Sequence, residues 1–518
     1  MTDKAWSDAW SLLPAYLTPH IVLSAAALAL GLLVSLPLAV AIAGRPRLRW
    51  PVLAVAGLIQ TIPGLALLAL FYPLLLALSA VTLHAFGFAI PALGFLPTLI
   101  ALTLYAMLPI LRNGVAGLNG VDPDVVEAAE GVGMTPRQVL LRVKAPLAAP
   151  VVMAGVRTAA VWTIGAATLS TPVGQTSLGN YIFTGLQTEN WVSVLFGCIA
   201  AAALALVADI FLGLIETGLA QRRHTRMALG VAGLLLGTLA GLTPLLANGT
   251  ATYTIGAKNF SEQFILAELM GERLKAEGAS VAHKDGLGSA VAFRALAHDD
   301  IDVYVDYSGT LWSNVMGRGD MLRRDVMQKE IARWMKAEQG VTVLGPLGFE
   351  NAYVLAMKRD RAATLGVSTL DDLARVAPQL VIGSDIEFLS RPEWTALKDA
   401  YGLSFKGQRS FNPTIMYRAL ETGEVDVISA FSSDGRMASL DLVALGDPKQ
   451  AAPAYDALIL LAPKRANDER LKRALTPLIG AIPVEAMRAA NLAVDRDADK
   501  ASPAQAARDL AATLHLQP

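Results

Sequence analysis

A change of solvent near Asn248 constrains this chain more than any other feature. Up to that point the sequence runs in long apolar stretches, and beyond it charged and apolar residues mix as in a water-soluble α/β protein. A bilayer core about 30 Å thick is crossed by about 20 apolar helical residues. The first part therefore reads as membrane spans and the second as a globular domain held at one face. An average of 54% hydrophobic and 17% charged residues over 518 positions conceals the split. That length exceeds a single core. The expected division is a transmembrane domain over 1–248 and a water-exposed domain over 249–518.

The net charge of −1 supplies no electrostatic footprint for nucleic acid. Cys198, the only cysteine, lies in an apolar run, so the second part forms no disulfide of its own. The N-terminus lacks a basic stretch and a small-residue cleavage site before its first long apolar run, and no removable signal peptide is expected. No His/Cys/Asp set has metal-ligand spacing and no Gly-x-Ser-x-Gly nucleophile is present, so neither a metal, a cofactor nor an enzymatic reaction is expected.

Six stretches satisfy the spanning criterion: Ile21–Ala43, Val52–Ala80, Phe88–Leu111, Pro150–Leu169, Trp191–Ile215 and Met227–Leu246. Pro37, Pro63, Pro73, Pro97 and Pro109 fall inside them, which membrane helices tolerate. Arg45, Arg47 and Arg49 follow the first span. Arg112, Arg137, Arg142 and Lys144 lie between the third and fourth, and Arg222, Arg223 and Arg226 follow the fifth. The loops around His84 and over 171–190 carry no Lys or Arg. By the positive-inside rule the basic loops are cytoplasmic. The second part then lies outside, tethered by the sixth span. Arg157, Asp209 and Glu216 are charges within or near spans, and the sequence assigns them no role.

The long cytoplasmic loop 119–149 contains Glu127-Ala128-Ala129-Glu130-Gly131-Val132-Gly133 and, further on, Ala145-Pro146. Read by itself it is an amphipathic surface helix, Val125 to Glu130, ended by Gly131 and Gly133. It also resembles the coupling loop of ABC importer permeases, in which Glu-Ala-Ala is followed by a glycine and then by Leu-Pro. Glu127, Ala128 and Ala129 match, Gly133 or Gly131 fills the glycine, and Pro146 fills the proline with Ala145 where leucine is usual. The resemblance implies that these residues dock into a groove of an ATPase subunit. The chain has no Gly-x-x-x-x-Gly-Lys-Ser/Thr loop of its own, so ATP hydrolysis belongs to a separate subunit. One loop per chain implies a homodimer with two ATPase copies.

Beyond residue 249, β-branched runs alternate with helical patterns. Strands are expected at Thr254–Ala257, Ile301–Val305, Asn351–Met357, Leu380–Gly383 and Val425–Ser429. Helices are expected over Ser261–Glu272 with Ser261 as N-cap, Val326–Ala337, Leu370–Val376 and Thr414–Glu421. This alternation predicts mostly parallel sheets, and the length favours two lobes closing on a ligand, the type II-like periplasmic-binding-protein architecture.

Ile255-Gly256-Ala257-Lys258-Asn259-Phe260-Ser261-Glu262-Gln263 resembles the opening motif of binding proteins for glycine betaine, choline and carnitine. Asp306-Tyr307-Ser308-Gly309-Thr310, Asn351-Ala352-Tyr353, Glu387-Phe388 with Arg391, Phe431-Ser432-Ser433-Asp434-Gly435 and Pro453-Ala454-Tyr455 are similar to their later motifs, in the same order. The resemblance implies aromatic walls at Tyr307, Tyr353, Phe431 and Tyr455 around a quaternary ammonium group. Each wall is worth roughly 0.5–2 kcal/mol of cation–π attraction. It also implies Lys258, Thr310 and Arg391 as carboxylate partners. Phe431 replaces the family's tyrosine and lacks its hydroxyl. All these positions are expected at strand-to-helix connections, where clefts form. Trp312, Trp334 and Trp394 read as packing residues, although Trp312 is close enough to Thr310 to line the cleft, and Tyr417, at a helix position, reads as packing with ligand contact as the alternative.

The implied function is the permease and binding subunit of an ATP-driven importer of the osmoprotectant class, in a bacterial inner membrane, taking glycine betaine, carnitine or choline. An ergothioneine importer of the same architecture is the alternative. A ligand-gated receptor or channel is the reading from another class, opposed by the Glu127–Pro146 loop.

Overall fold

The computed structural model describes residues 2–516 except 88–89, 91–92, 189, 248–251, 321, 391, 412, 450, 453 and 497–498. The expected junction at Asn248 lies outside the described residues. Contacts divide the chain into two units, one holding 2–183 and 192–249, the other 184–191 and 250–518.

The first unit is helical. Its elements are α1 (Thr2–Ala43), α2 (Pro46–Thr61), α3 (Gly64–Phe86), α4 (Phe95–Asn119), α5 (Pro123–Gly131), α6 (Pro136–Val139), α7 (Ala145–Ala167), α8 (Gly179–Gln187), α9 (Trp191–Ala220) and α10 (His224–Ala247). Among the described residues, five stretches are long and apolar enough to cross a membrane: Ala9–Ala43, Gly64–Phe86, Phe95–Asn119, Pro136–Val173 and Trp191–Ala220. The expected span Val52–Ala80 is two helices. Pro63 sits in the break between α2 and α3 rather than inside a span, because it cannot donate to the ladder and biases Ile62 toward extended backbone. Close helix approach rests on small residues. A Cβ on Gly114 would stand 2.9 Å from Ala39 of α1, and one on Gly155 of α7 would stand 2.7 Å from the Pro109 carbonyl of α4. Such contacts supply dispersion where lipid removes the hydrophobic drive between helices.

The loop between α4 and α7 is built by local rules. Asp122 caps α5 by accepting from Asp124 N, and Gly133 takes a left-handed φ of +83° to turn the chain. Thr135 and Gln138 form a reciprocal capping box on α6. A turn of wider π-helix, Leu140–Lys144, then runs without a break into α7.

The second unit carries two five-stranded sheets. The first contains β1 (Tyr253–Lys258), β2 (Val281–Leu287), β3 (Val303–Tyr307), β4 (Thr342–Glu350) and, from far along the chain, β10 (Asp456–Leu461), in the order β2-β1-β3-β10-β4. The second contains β5 (Tyr353–Lys358), β6 (Val381–Asp385), β7 (Gly407–Phe411), β8 (Val427–Phe431) and β9 (Leu442–Ala444), in the order β7-β6-β8-β5-β9. The chain thus crosses between lobes twice, before β5 and before β10. The sheets are mixed, not mostly parallel: β1 and β6 pair parallel with their neighbours, whereas β10 and β5 run antiparallel to theirs. The two antiparallel strands are those that follow the crossings, where the chain re-enters a sheet from the other lobe.

The expected helices appear, including Arg324–Gln339, Leu370–Val376 and Pro413–Glu421. Ser261 does not cap α11 (Ser261–Ala276). Phe260 occupies the cap position and the Ser261 hydroxyl donates instead to Asp495. One continuous apolar core runs from Ile255 and Val303 of the first sheet through Tyr307, Tyr353 and Tyr455 to Ile382 and Val427 of the second.

One polar group sits at odds with its surroundings. Asp285 on edge strand β2 has a buried Oδ1 with no hydrogen-bond partner among the described residues. Burial pushes its carboxyl up to about 6, with Glu268 adding and His283 opposing. A folded-state pKa above the unfolded value means that stability falls as pH rises through the carboxylate range to about 6. Asp285→Asn should raise the stability of residues 252–518 by about 2 kcal/mol near pH 7.5 and change it little near pH 4. Urea unfolding at the two pH values checks this, and an equal effect at both contradicts it.

Candidate functional site

The crossings place aromatic rings face to edge. Tyr353 opens β5 just after the first crossing and Tyr455 stands just before β10. The Asn351 N–H donates to the Tyr455 carbonyl at 2.9 Å, which ties the two crossing segments together. The two rings then meet edge-on, with centroids 5.8 Å apart. Phe431, at the end of β8, is paired with Tyr353 across the sheet, and its ring lies 4.8 Å from that of Tyr353. Phe388 also packs against Tyr353, at 4.8 Å. Phe260 lies parallel to Phe431 at 6.3 Å and near-parallel to Tyr307 at 6.1 Å. Tyr307, Tyr353, Phe431 and Tyr455 are therefore joined through ring contacts, with Phe260 as the link to Tyr307. Tyr353 and Tyr455 stand at the lobe crossings, not at strand-to-helix connections.

Gly309 explains how Tyr455 fits. A Cβ there would stand 2.5–2.7 Å from three atoms of the Tyr455 ring, so only glycine lets the ring lie on this backbone. Thr310 follows, buried in the short helix Ser308–Thr310. The Tyr455 hydroxyl donates to Glu393, which also accepts from Ser313 at 2.8 Å.

Lys258 ends β1 in the interior. Its ammonium pairs with Asp306 and lies 5.3 Å from the Tyr307 ring centroid. Tyr304 donates to the other Asp306 oxygen at 2.5 Å. Lys258 is 2% exposed and is thus an internal counter-charge, not a solvated strand end. Arg391 lies outside the described residues.

The largest contribution that sequence reading missed is Glu262. This buried carboxylate accepts from the Tyr307 hydroxyl at 2.5 Å, from Asn351 Nδ2 at 3.1 Å and from Asn491 Nδ2 at 3.0 Å. Burial pushes its carboxyl above the ordinary range, and the hydrogen bonds it accepts hold it down. Asn491 also donates to the Ser433 carbonyl at 2.9 Å, and Arg488 donates to that of Ser432 at 2.8 Å. The helix Val484–Asp495 therefore fastens onto the loop after β8. Glu262 stands in the quoted opening motif, so its type and place were visible. Its partner Asn491, 229 residues away, was not.

Tyr417 is buried, with the Arg436 guanidinium 4.0 Å over its ring, and Arg436 pairs with Asp434 at 2.7 Å. Trp312 is buried under Arg318, its Nε1 donating to the Asp320 carbonyl at 2.9 Å. Trp394 packs on Phe388 and Phe405. In the helical unit, Glu127 and Ala128 are exposed on α5 while Ala129 is buried, Gly133 is exposed, and Pro146 is exposed in the first turn of α7. Val132, between the two glycines, is 77% exposed.

Chemically, the cluster offers π faces beside a buried carboxylate, and π faces attract a cation. Glu262→Leu removes the acceptor shared by Tyr307, Asn351 and Asn491, of which Asn491 keeps the Ser433 carbonyl, and should cost residues 252–518 about 3 kcal/mol, with Glu262→Gln costing less. Urea unfolding measures both, and an unchanged midpoint for the leucine variant contradicts the network.

Residues 251–512 match the family model described as the substrate binding domain of ABC-type glycine betaine transport system. Residues 27–221 match that of the binding-protein-dependent transport system inner membrane component. The chain is 28% identical over 425 residues to the ergothioneine transport permease/ergothioneine binding protein of Helicobacter pylori (strain G27), covering 79% of this chain and 74% of that protein. It is 38% identical over 208 residues to a choline transport system permease protein of Bacillus subtilis (strain 168), covering 40% of this chain and 88% of that one. A crystal structure of a glycine betaine/carnitine/choline ABC transporter aligns at 25% identity with a TM-score of 0.45, over 51% of this chain and 98% of that chain.

Proposed function

The chain belongs to the family of substrate binding domains of ABC-type glycine betaine transport systems, joined here in one polypeptide to an inner membrane transport component, and from that premise we propose that it captures and imports a small trimethylammonium compound. The observation that carries the proposal is the ring cluster at the lobe crossings: Tyr353 has Phe431 at 4.8 Å and Tyr455 at 5.8 Å. Rings held at the crossings sense lobe closure directly, because both segments bend when the lobes move. Tyr307, Tyr353, Phe431 and Tyr455 are the proposed walls for the methylated head. Thr310 and Arg391 are the proposed carboxylate partners, and Lys258 serves to neutralise Asp306.

The family description and the aromatic walls support glycine betaine, and the names of permease relatives support choline and carnitine, which carry the same methylated head. Ergothioneine is a second reading with its own support, because the Helicobacter pylori relative aligns across both the permease and the binding parts. Calorimetry of residues 252–518 against these four compounds tests the class, with heat expected from at least one. Silence from all four rejects it.

By the positive-inside rule the basic loops support α5 on the cytoplasmic side and the binding domain outside. A separate ATPase, in two copies on a homodimer of this chain, drives transport. Exposed Glu127, Ala128, Val132 and Gly133 on and after α5 form the face for its groove. Glu127→Arg should abolish ATP-driven uptake in proteoliposomes while leaving ligand affinity as it is. Undiminished uptake would reject α5 as the joint.

A further inference from the structure

Three charges in the helical unit have no part in the account so far. Arg157 of α7 donates to Asp209 Oδ1 at 2.9 Å and Oδ2 at 2.8 Å, and to Glu216 Oε2 at 2.7 Å. Both carboxylates belong to α9. Asp209, Gly213 and Glu216 recur at the i, i+4, i+7 spacing and so share one helix face. Gly213 is the bed of the guanidinium: a Cβ there would stand 3.3 Å from Arg157 Cζ and 3.5 Å from each Nη. A fork-shaped cation thus lies across a glycine with a carboxylate on either side, a two-sided grip that a lysine's point charge does not reproduce.

The grip runs from the interior of α7 to the last turns of α9, where Glu216 stands four residues before Ala220. Arg157 is about 18 Å from the start of α7 at 1.5 Å per residue. Charges at such depth are costly, so a polar clamp is an unusual way to join two otherwise apolar helices. Its place along the chain gives it a use. α7 continues from the loop that holds α5 through the unbroken π-helical turn Leu140–Lys144. Displacement of that loop therefore reaches Arg157 along a continuous helix. At the opposite end of α9, Ser193 donates to the Tyr181 carbonyl at 3.1 Å.

We propose that Arg157, held by Asp209 and Glu216 over Gly213, is a positioning residue that makes α9 move with α7 when the coupling loop is driven. The proposal rests on the importer reading. A staple with a purely structural role would lower the amount of folded protein. A transmission clamp also lowers the uptake obtained per ATP in the molecules that do fold.

The full chain is reconstituted with its ATPase in proteoliposomes, with glycine betaine and ergothioneine as probes, and uptake and hydrolysis are read on the same vesicles. Arg157→Gln should lower uptake per ATP about tenfold at unchanged ligand affinity. Gly213→Leu, which keeps all three charges and fills the bed, should do the same, and Arg157→Lys should fall between. Wild-type ratios in both Arg157→Gln and Gly213→Leu overturn the clamp. A second measurement needs no charge removal and no transport. Spin labels replacing Trp162 on α7 and Leu206 on α9, both exposed, should keep one separation with and without ATP, and a changed separation overturns the proposal. Should the wild type move neither probe, those substrates are rejected, and the label distance still judges the clamp.

Discussion

The binding domain depends on the double passage of its chain between two sheets. One backbone hydrogen bond, from Asn351 N to the Tyr455 carbonyl, holds the outgoing and returning segments side by side. The rings of Tyr353 and Tyr455 are placed by that bond and by the strands it introduces. Phe431 and Phe388 each bring a ring centroid to 4.8 Å from that of Tyr353. The aromatic cluster is thus a consequence of topology: residues from four separate parts of the chain converge because two strands re-enter a sheet from the other lobe.

Buried charge surrounds this cluster in compensated form. Asp306 takes Lys258 on one oxygen and Tyr304 on the other, and Glu262 is held by a hydroxyl and two amides. A buried carboxylate with several donors is costly to remove and geometrically demanding. Such groups fix where Tyr307 and the loop after β8 stand. The same principle recurs in the helical unit, where one guanidinium and two carboxylates join α7 to α9.

Much of this was legible in the sequence, for physical reasons that differ by element. Apolar length located the helices, and the core strands β1, β6 and β8 announced themselves by β-branched runs. The edge strands β2, with Val281-Ala282-His283-Lys284-Asp285, and β7, with Gly407-Gln408-Arg409, carry polar residues and no alternation, so no periodicity marks them. The break at Pro63 is hidden by continuous hydropathy across Val52–Ala80. Strand direction was misjudged because alternation of strand and helix is also produced by a chain that leaves and re-enters a sheet. At the site, residue types carried by short motifs were readable, including Gly309, whose role needed the Tyr455 ring on top of it. Pairings such as Glu262 with Asn491, or Arg157 with Asp209, join positions that no local pattern connects.

One polypeptide that both holds the ligand and forms its path needs no diffusing binding protein, because tethering keeps the local concentration high. ATP-driven accumulation of labelled ligand in proteoliposomes tests this most directly. The vesicles contain the full chain and its ATPase, and the comparison is with a chain ending at residue 248. The account predicts accumulation by the full chain with no added protein and none by the truncated chain. Equal accumulation by the truncated chain, or a requirement for a separate binding protein, would contradict it.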